Sequence, residues 1–271
     1  MKELKGKVAL ITGNSRGLGP CISLALAKEG VTIVGVARSE EGLKKTQQII
    51  EDNNGSCYSI PADLKAVDQI ENLLARVRET AGEVDILINN AGIETYNYFQ
   101  NNSKEDIHSV LTVNLHAPME LVRLLLPSMM ERGGHIVNIA SLAGKKGVAY
   151  NSMYSASKAG MIMWTDGLRQ ELKDTAVDIS VICPGFIQDS GMFHDSGFSA
   201  PSMLGTLPPQ DVADAVVKAL KENKSEVIVN KGPMKPLLAL AQIAPELGDK
   251  IVNWFGVPKL SKMRAERNIK G

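Results

Sequence analysis

Val8-Ala9-Leu10-Ile11-Thr12-Gly13-Asn14-Ser15-Arg16-Gly17-Leu18-Gly19 joins a continuously apolar run to a glycine turn, and the turn opens a segment with helical spacing, Leu18 to Glu29. A strand, a glycine turn and a helix in that order make an anion site. The glycines let backbone amides approach a phosphate, and the helix N-terminus adds partial positive charge. The spacing is G-x-x-x-G-x-G instead of the commoner G-x-G-x-x-G, so the strand-turn-helix context carries the reading more than the spacing does. The plainer alternative is a turn that only packs the helix on the strand.

Further apolar runs follow at Thr32 to Ala37, Ser56 to Pro61, Ile86 to Asn89, His135 to Ala140, Ile179 to Cys183 and Glu226 to Val229. Near-continuous apolar runs suit strands covered on both faces, as in a parallel sheet. Helical spacing recurs between them at Glu41 to Asp52, Ala66 to Ala81, Ser103 to Glu131, Ser152 to Asp174 and Pro209 to Glu222. Right-handed crossovers then predict an α/β fold: a single doubly wound domain over residues 1–230 with a parallel sheet of about seven strands. Residues 231–271 break the rhythm and are expected to form a helical extension. Phe186 to Pro208 has no steady period, is rich in Ser, Gly and Pro, and leaves the carboxyl end of a strand, where a loop would cover a ligand.

Composition bounds the function classes. The chain has 271 residues, 44% hydrophobic and 22% charged, as expected of a compact soluble protein. Its 30 basic and 30 acidic residues cancel, which argues against holding nucleic acid across the whole surface. Cys21, Cys57 and Cys183 lie far apart with no CxxC pair, and His108, His116, His135 and His194 show no HExxH spacing, so neither a disulfide framework nor a metal site is expected. His194, in the variable loop, is the histidine to test for substrate contact. The amino-terminal residues show no basic segment leading into an apolar one, and the most apolar stretch, Pro236 to Ala244, is cut by Pro245 and Glu246. A cytoplasmic location is expected.

Cofactor type is read at the end of the second strand, where an acid would bind the ribose hydroxyls of NAD and an arginine would accommodate the phosphate of NADP. The chain has Arg38 there, and Arg16 in the glycine turn adds a second guanidinium, which favours NADP (NADPH) over NAD. Glu40 and Glu41 are rival partners for Arg38. Tyr154 and Lys158, four apart, share one helix face, and Ser141 ends the fifth strand at the carboxyl edge of the sheet. A free tyrosine titrates near 10; burial raises that value and a neighbouring ammonium lowers it, and with a positive nicotinamide alongside the charge is expected to win.

Thr12-Gly13-x-x-x-Gly17-x-Gly19, Asn89-Asn90-Ala91-Gly92, Asn114, Ser141, Tyr154-x-x-x-Lys158 and Pro184-Gly185, in this order and spacing, resemble the short-chain dehydrogenase/reductase family over about residues 5 to 230. The resemblance implies a Rossmann-type fold, a nicotinamide cofactor and interconversion of an alcohol with a ketone or aldehyde. It implies Tyr154 as acid/base, Lys158 as its pKa modifier and ribose ligand, Ser141 as carbonyl anchor and Asn114 as support for a water-mediated proton relay. On the cofactor it implies the turn residues Gly13, Ser15, Arg16, Gly17, Leu18 and Gly19, then Arg38, with Asp63 and Leu64 at adenine. Asn90, Ala91 and Gly92 would line the adenosine side, Pro184 and Gly185 would border the nicotinamide, and Ile187 would lie near its carboxamide. One departure stands out: the family commonly has Thr where this chain has Asp189 followed by Ser190, so Asp189 is expected to face substrate or solvent.

The implied substrate is a small carbonyl or alcohol, apolar, with 3-oxoacyl and steroid-like compounds among the classes open, and the implied assembly is a homo-dimer or homo-tetramer. The rival function is a nucleotide-binding scaffold or sensor with little turnover. The extension is apolar at Pro236 to Ile243 and Ile251 to Phe255, then basic at Lys259, Lys262, Arg264, Arg267 and Lys270. Three readings are open: packing on its own domain or a subunit interface, a lid over an apolar substrate, and a peripheral membrane contact through Trp254, Phe255 and the basic end.

Overall fold

The apolar runs fold as β1 (Val8–Thr12), β2 (Thr32–Ala37), β3 (Cys57–Pro61), β4 (Ile86–Asn89), β5 (Gly134–Ile139), β6 (Val177–Pro184) and β7 (Glu226–Val229). They form one sheet in the order β3-β2-β1-β4-β5-β6-β7, with every neighbouring pair parallel. The structure is a computed structural model that describes all residues except Lys2, Ser190, Ser202, Met203, Pro233 and Gly271, and only the backbone of Ile269 and Lys270. The helices are α1 (Leu18–Lys28), α2 (Glu40–Asp52), α3 (Ile70–Ala81), α4 (Lys104–Leu111), α5 (Ala117–Arg132), α6 (Ser152–Glu171), α7 (Gly191–Asp195) and α8 (Pro209–Glu222). The carboxyl-terminal extension adds α9 (Met234–Ile243), α10 (Pro245–Trp254) and α11 (Val257–Lys270).

Two-sided burial explains why β1 reads as unbroken apolar sequence. Ala9 and Ile11 join one core with Ile22, Leu26, Val212 and Val216 of α1 and α8, while Leu10 joins the opposite core with Leu73, Val77, Leu121 and Leu125 of α3 and α5. Each such aliphatic side chain contributes about 1.5–3 kcal/mol by leaving water. The chain runs outward from β1 to β3 and then returns to place β4 on the other side of β1, so the strand order reverses between β1 and β4. Their carboxyl ends therefore open a crevice, the place where doubly wound sheets bind ligands.

The helix expected over Ser103 to Glu131 is interrupted. Residues Thr112–His116 form a π-helical turn between α4 and α5. Pro118, second in α5, has no N–H to return to the Asn114 carbonyl four residues earlier, which removes one α-helical bond at this turn. Ser103 caps α4 by accepting from the Asp106 amide at 3.0 Å, with the Asp106 carboxylate answering from the other side. The loop after β6 also holds more order than its composition signals. It carries α7, and Ile187 bridges Leu207 in parallel fashion. No helix among the described residues is long and apolar enough to cross a membrane.

Candidate active site

A cavity of about 470 Å³ occupies the crevice at the carboxyl ends of β1, β4, β5 and β6, a size usual for small-ligand sites. Gly13, Ser15, Arg16, Gly17 and Leu18 of the turn line one end, next to Arg38, Asp63 and Leu64. Asn90, Ala91 and Gly92 form its floor with Pro184, Gly185 and Ile187, and Ser141, Tyr154 and Lys158 open onto the same space. Two sequence-predicted residues sit behind this wall. Gly19 packs so closely on the turn that a Cβ would lie 2.4 Å from the Gly13 carbonyl oxygen, and Asn114 is fully buried.

The turn is built for close backbone approach. Gly13 has φ of +69°, and a Cβ there would meet Ala91 Cα at 2.8 Å; Gly17, at φ of +70°, faces the cavity. Thr12 holds the turn to β4: its hydroxyl accepts from the amides of Asn90 and Ala91, both at 3.0 Å. Asn90 Nδ2 donates to the Thr12 carbonyl at 2.9 Å and to that of Gly13 at 3.2 Å. A dinucleotide fits these residues, because a side chain at Gly13 would meet the Ala91 backbone and one at Gly17 would crowd the Gly191 backbone, so both positions keep the turn open to close approach.

The two arginines differ. Arg16 pairs with Asp195 of α7 at 2.5 Å, on a surface where the arginine side chain is 71% exposed, so the pair is worth little. Arg38 has no carboxylate partner among the described residues. Its expected rivals are engaged elsewhere: Glu40 pairs with Lys44 at 2.9 Å and Glu41 with Lys45 at 2.6 Å.

Asn114 clamps the loop after β4. Its Oδ1 accepts from the Ile93 amide at 2.8 Å, and its Nδ2 donates to the Ile93 carbonyl at 2.9 Å and to Ser157 Oγ at 3.0 Å. Both amide protons are thus committed. Lys158, only 2% exposed, donates to the Ile139 carbonyl at 2.7 Å, and its Nζ lies 5.8 Å from the Tyr154 ring centre. Ser141 Oγ accepts from the Ala143 amide at 3.1 Å, which leaves its proton for another acceptor.

The short chain dehydrogenase family model matches residues 7–198. Ketoacyl reductase HetN of Nostoc sp. is 52% identical over 276 residues, covering 100% of this chain and 96% of that protein. The chain belongs to the short-chain dehydrogenase/reductase family. Among solved structures, a variant actinorhodin polyketide ketoreductase with NADPH is 30% identical at a TM-score of 0.77, covering 84% of this chain and 97% of that one. A family member from Burkholderia phymatum in complex with NAD is 25% identical at a TM-score of 0.81, covering 91% and 96%. The protein is an oxidoreductase of this family.

Burial raises the Tyr154 phenol well above its ordinary value of 10, helped by the Glu94 carboxylate and opposed by Ser141 and Arg264. Lys158 is itself desolvated and drawn down to about 8, so the protein alone leaves the phenol high; the positive nicotinamide of the expectation acts only when cofactor is bound. The phenol is held protonated.

Three further expectations need correction or placement. His194 lies on the exposed side of α7 beside Asp195 and outside the cavity, whose wall there is Met192 and Phe193. Asp189 is exposed, with φ of +62°, and turns to solvent; Ser190 lies outside the described residues. The basic end of the extension is not all surface, since Arg264 is only 7% exposed. The extension roofs the cavity with Leu237, Leu238, Ile251, Val252, Phe255 and Leu260. Gln242 donates to the Lys145 carbonyl at 2.9 Å, and Lys146 pairs with Asp249 at 2.6 Å, tying α9 and α10 to the loop after β5. Sequence reasoning missed Glu94 and Tyr96 and took Arg264 only as part of a basic end; these residues meet across about 170 residues of chain with no local pattern to announce the contact.

Proposed function

We propose that the protein reduces apolar ketones with NADPH, with 3-oxoacyl thioesters as the first substrate class to test. The observation that carries this reading is the opening of Ser141, Tyr154 and Lys158 onto the same cavity as the glycine turn, beneath an apolar roof. When bound, the reduced nicotinamide supplies hydride to the carbonyl carbon. Ser141 donates to the carbonyl oxygen with the proton it does not use internally. Tyr154, kept protonated by burial, gives its proton to that oxygen as negative charge develops, and the product is an alcohol. Lys158 titrates near 8, close enough to neutrality to return a proton to the strongly basic phenolate. Its other N–H groups, unmatched among the described residues, suit ribose hydroxyls. Asn114 holds the loop after β4 in place, which leaves its backbone carbonyl for any part in a water relay. Arg38, free of its acidic neighbours, supports NADP over NAD.

The test is a steady-state screen of 3-oxoacyl thioesters, steroids and simple ketones with each nicotinamide. Reduction of an apolar ketone with NADPH is expected, and binding of nucleotide without turnover on any class would favour the scaffold reading. A peripheral membrane contact is a second reading, favoured by the outward placement of Ile243 and Trp254, 84% and 69% exposed, on α9 and α10. Flotation with anionic vesicles tests it, and recovery only in the soluble fraction would remove it.

A further inference from the structure

Helix α11 reaches from the far end of the chain to within the field of the catalytic phenol, and it does so through one arginine. Arg264 Nη2 donates to Glu94 Oε1 at 2.5 Å, with side-chain exposures of 8% and 15%. The guanidinium lies 3.8 Å from the Tyr96 ring centre and 5.7 Å from that of Phe193. The other carboxylate oxygen, Glu94 Oε2, accepts from Asn151 Nδ2 at 3.2 Å. Asn151 is the residue that precedes α6, and Tyr154 stands in the first turn of that helix. The chain of contacts therefore runs from the extension, across the loop after β4, to the start of the catalytic helix. Neighbouring contacts fix α11 in the same place: Asn268 Nδ2 donates to the Tyr96 carbonyl at 3.0 Å, and Arg267 Nη1 to the Ser196 carbonyl at 2.6 Å.

We propose that Arg264 is a positioning residue for Tyr154: by pairing with Glu94 it cancels a carboxylate that faces the phenol and keeps it bound at the head of α6, so the carboxyl-terminal extension sets how readily Tyr154 gives and takes its proton. The inference rests on the reading of Tyr154 as the acid/base. A buried carboxylate without its cation would oppose formation of phenolate by like-charge repulsion, and its cation restores the balance. The directions agree with the geometry, since Glu94 raises the phenol and Arg264 lowers it. The other groups that face this space do not reproduce the effect. Ser141 lowers the phenol through a hydrogen bond but carries no charge to balance Glu94, and the Tyr96 phenol is itself pushed up by burial and by Glu94. Lys158 belongs to α6 and is tied to the Ile139 carbonyl, and Lys146 is paired with Asp249.

The test uses the full-length protein with saturating NADP⁺, whose positive nicotinamide beside the phenol is expected to draw its titration down into the accessible range, and needs no substrate. Phenolate absorbance near 295 nm is titrated between about pH 7 and 11 in the wild type, Arg264→Met, Glu94→Gln and the double variant, each with its Tyr154→Phe counterpart subtracted. Arg264→Met should delay the Tyr154-dependent signal by about one pH unit and Glu94→Gln should advance it, by the usual size of a nearby charge. The double variant, which removes both charges, should return close to wild type; it also covers the case in which Arg264→Met fails to fold, because it leaves no unpaired carboxylate. Equal midpoints in all folded variants would overturn the proposal, as would a double variant displaced as far as Arg264→Met, or no Tyr154 signal below pH 11 in any. Failure of the functional reading would show separately, as absent turnover in the substrate screen with these titrations unaffected.

Discussion

Replacing Lys158 with Met should stabilise the cofactor-free protein while removing its activity. The lysine is fully enclosed, its ammonium has the Ile139 carbonyl at 2.7 Å as its one protein partner among the described residues, and burial holds it near 8 instead of 10.5. That difference corresponds to about 3 kcal/mol by which the folded state disfavours the ammonium, at about 1.4 kcal/mol per pH unit. Between 8 and 10.5 the unfolded chain binds more protons at this position than the folded one, so this lysine's contribution to stability rises with pH and is poorest below 8. Methionine carries no such penalty and fills a similar volume. Unfolding by urea or heat at about pH 7 should then favour Lys158→Met by up to about 3 kcal/mol, several degrees in Tm for a chain of this size. The advantage should shrink by about pH 9.5, where the wild-type lysine is mostly neutral. The same variant should lose turnover and the added stability that NADPH confers. A variant less stable than wild type at pH 7, or a gap that ignores pH, would refute the reasoning.

Two other outcomes follow from named groups. Arg38→Asp should shift kcat/KM from NADPH toward NADH by about 10-fold or more, the size of a lost charge-assisted hydrogen bond to phosphate; an unchanged preference would assign the phosphate to Arg16. His135 is buried against Ser180 Oγ at 2.8 Å, and burial pulls it from 6.5 to about 3. The unfolded chain therefore takes up a proton that the folded one refuses, and stability present above 6.5 is lost as pH falls toward 3, by up to about 5 kcal/mol. His135→Gln should flatten that acid limb in urea unfolding, and an unchanged limb would count against the assignment.

The parallel sheet was legible because both faces of each strand are covered, which turns β1 and its neighbours into apolar runs with strong edges. The residues that line the cavity were legible for a related reason: glycines at fixed positions in a strand-turn-helix unit, and a tyrosine and lysine four apart on one helix face, are local patterns. Asn114 could be placed on a helix, but not its π-helical turn or the clamp its side chain makes on the Ile93 backbone, a contact formed only in three dimensions. The Arg264–Glu94 pair left no trace, because each residue alone looks like ordinary surface charge and only the packing of α11 on the loop after β4 buries them. For the phenol, the sequence exposed the opposing effects but not their sizes, which depend on how deeply Tyr154 is buried.

The central claim is that Tyr154 transfers the proton to a carbonyl oxygen anchored by Ser141. Its most direct test is Tyr154→Phe, assayed for NADPH-dependent ketone reduction alongside NADPH affinity by fluorescence. Turnover should fall by about 10² to 10⁴ while nucleotide affinity stays close to wild type. Full turnover in the phenylalanine variant would contradict the account.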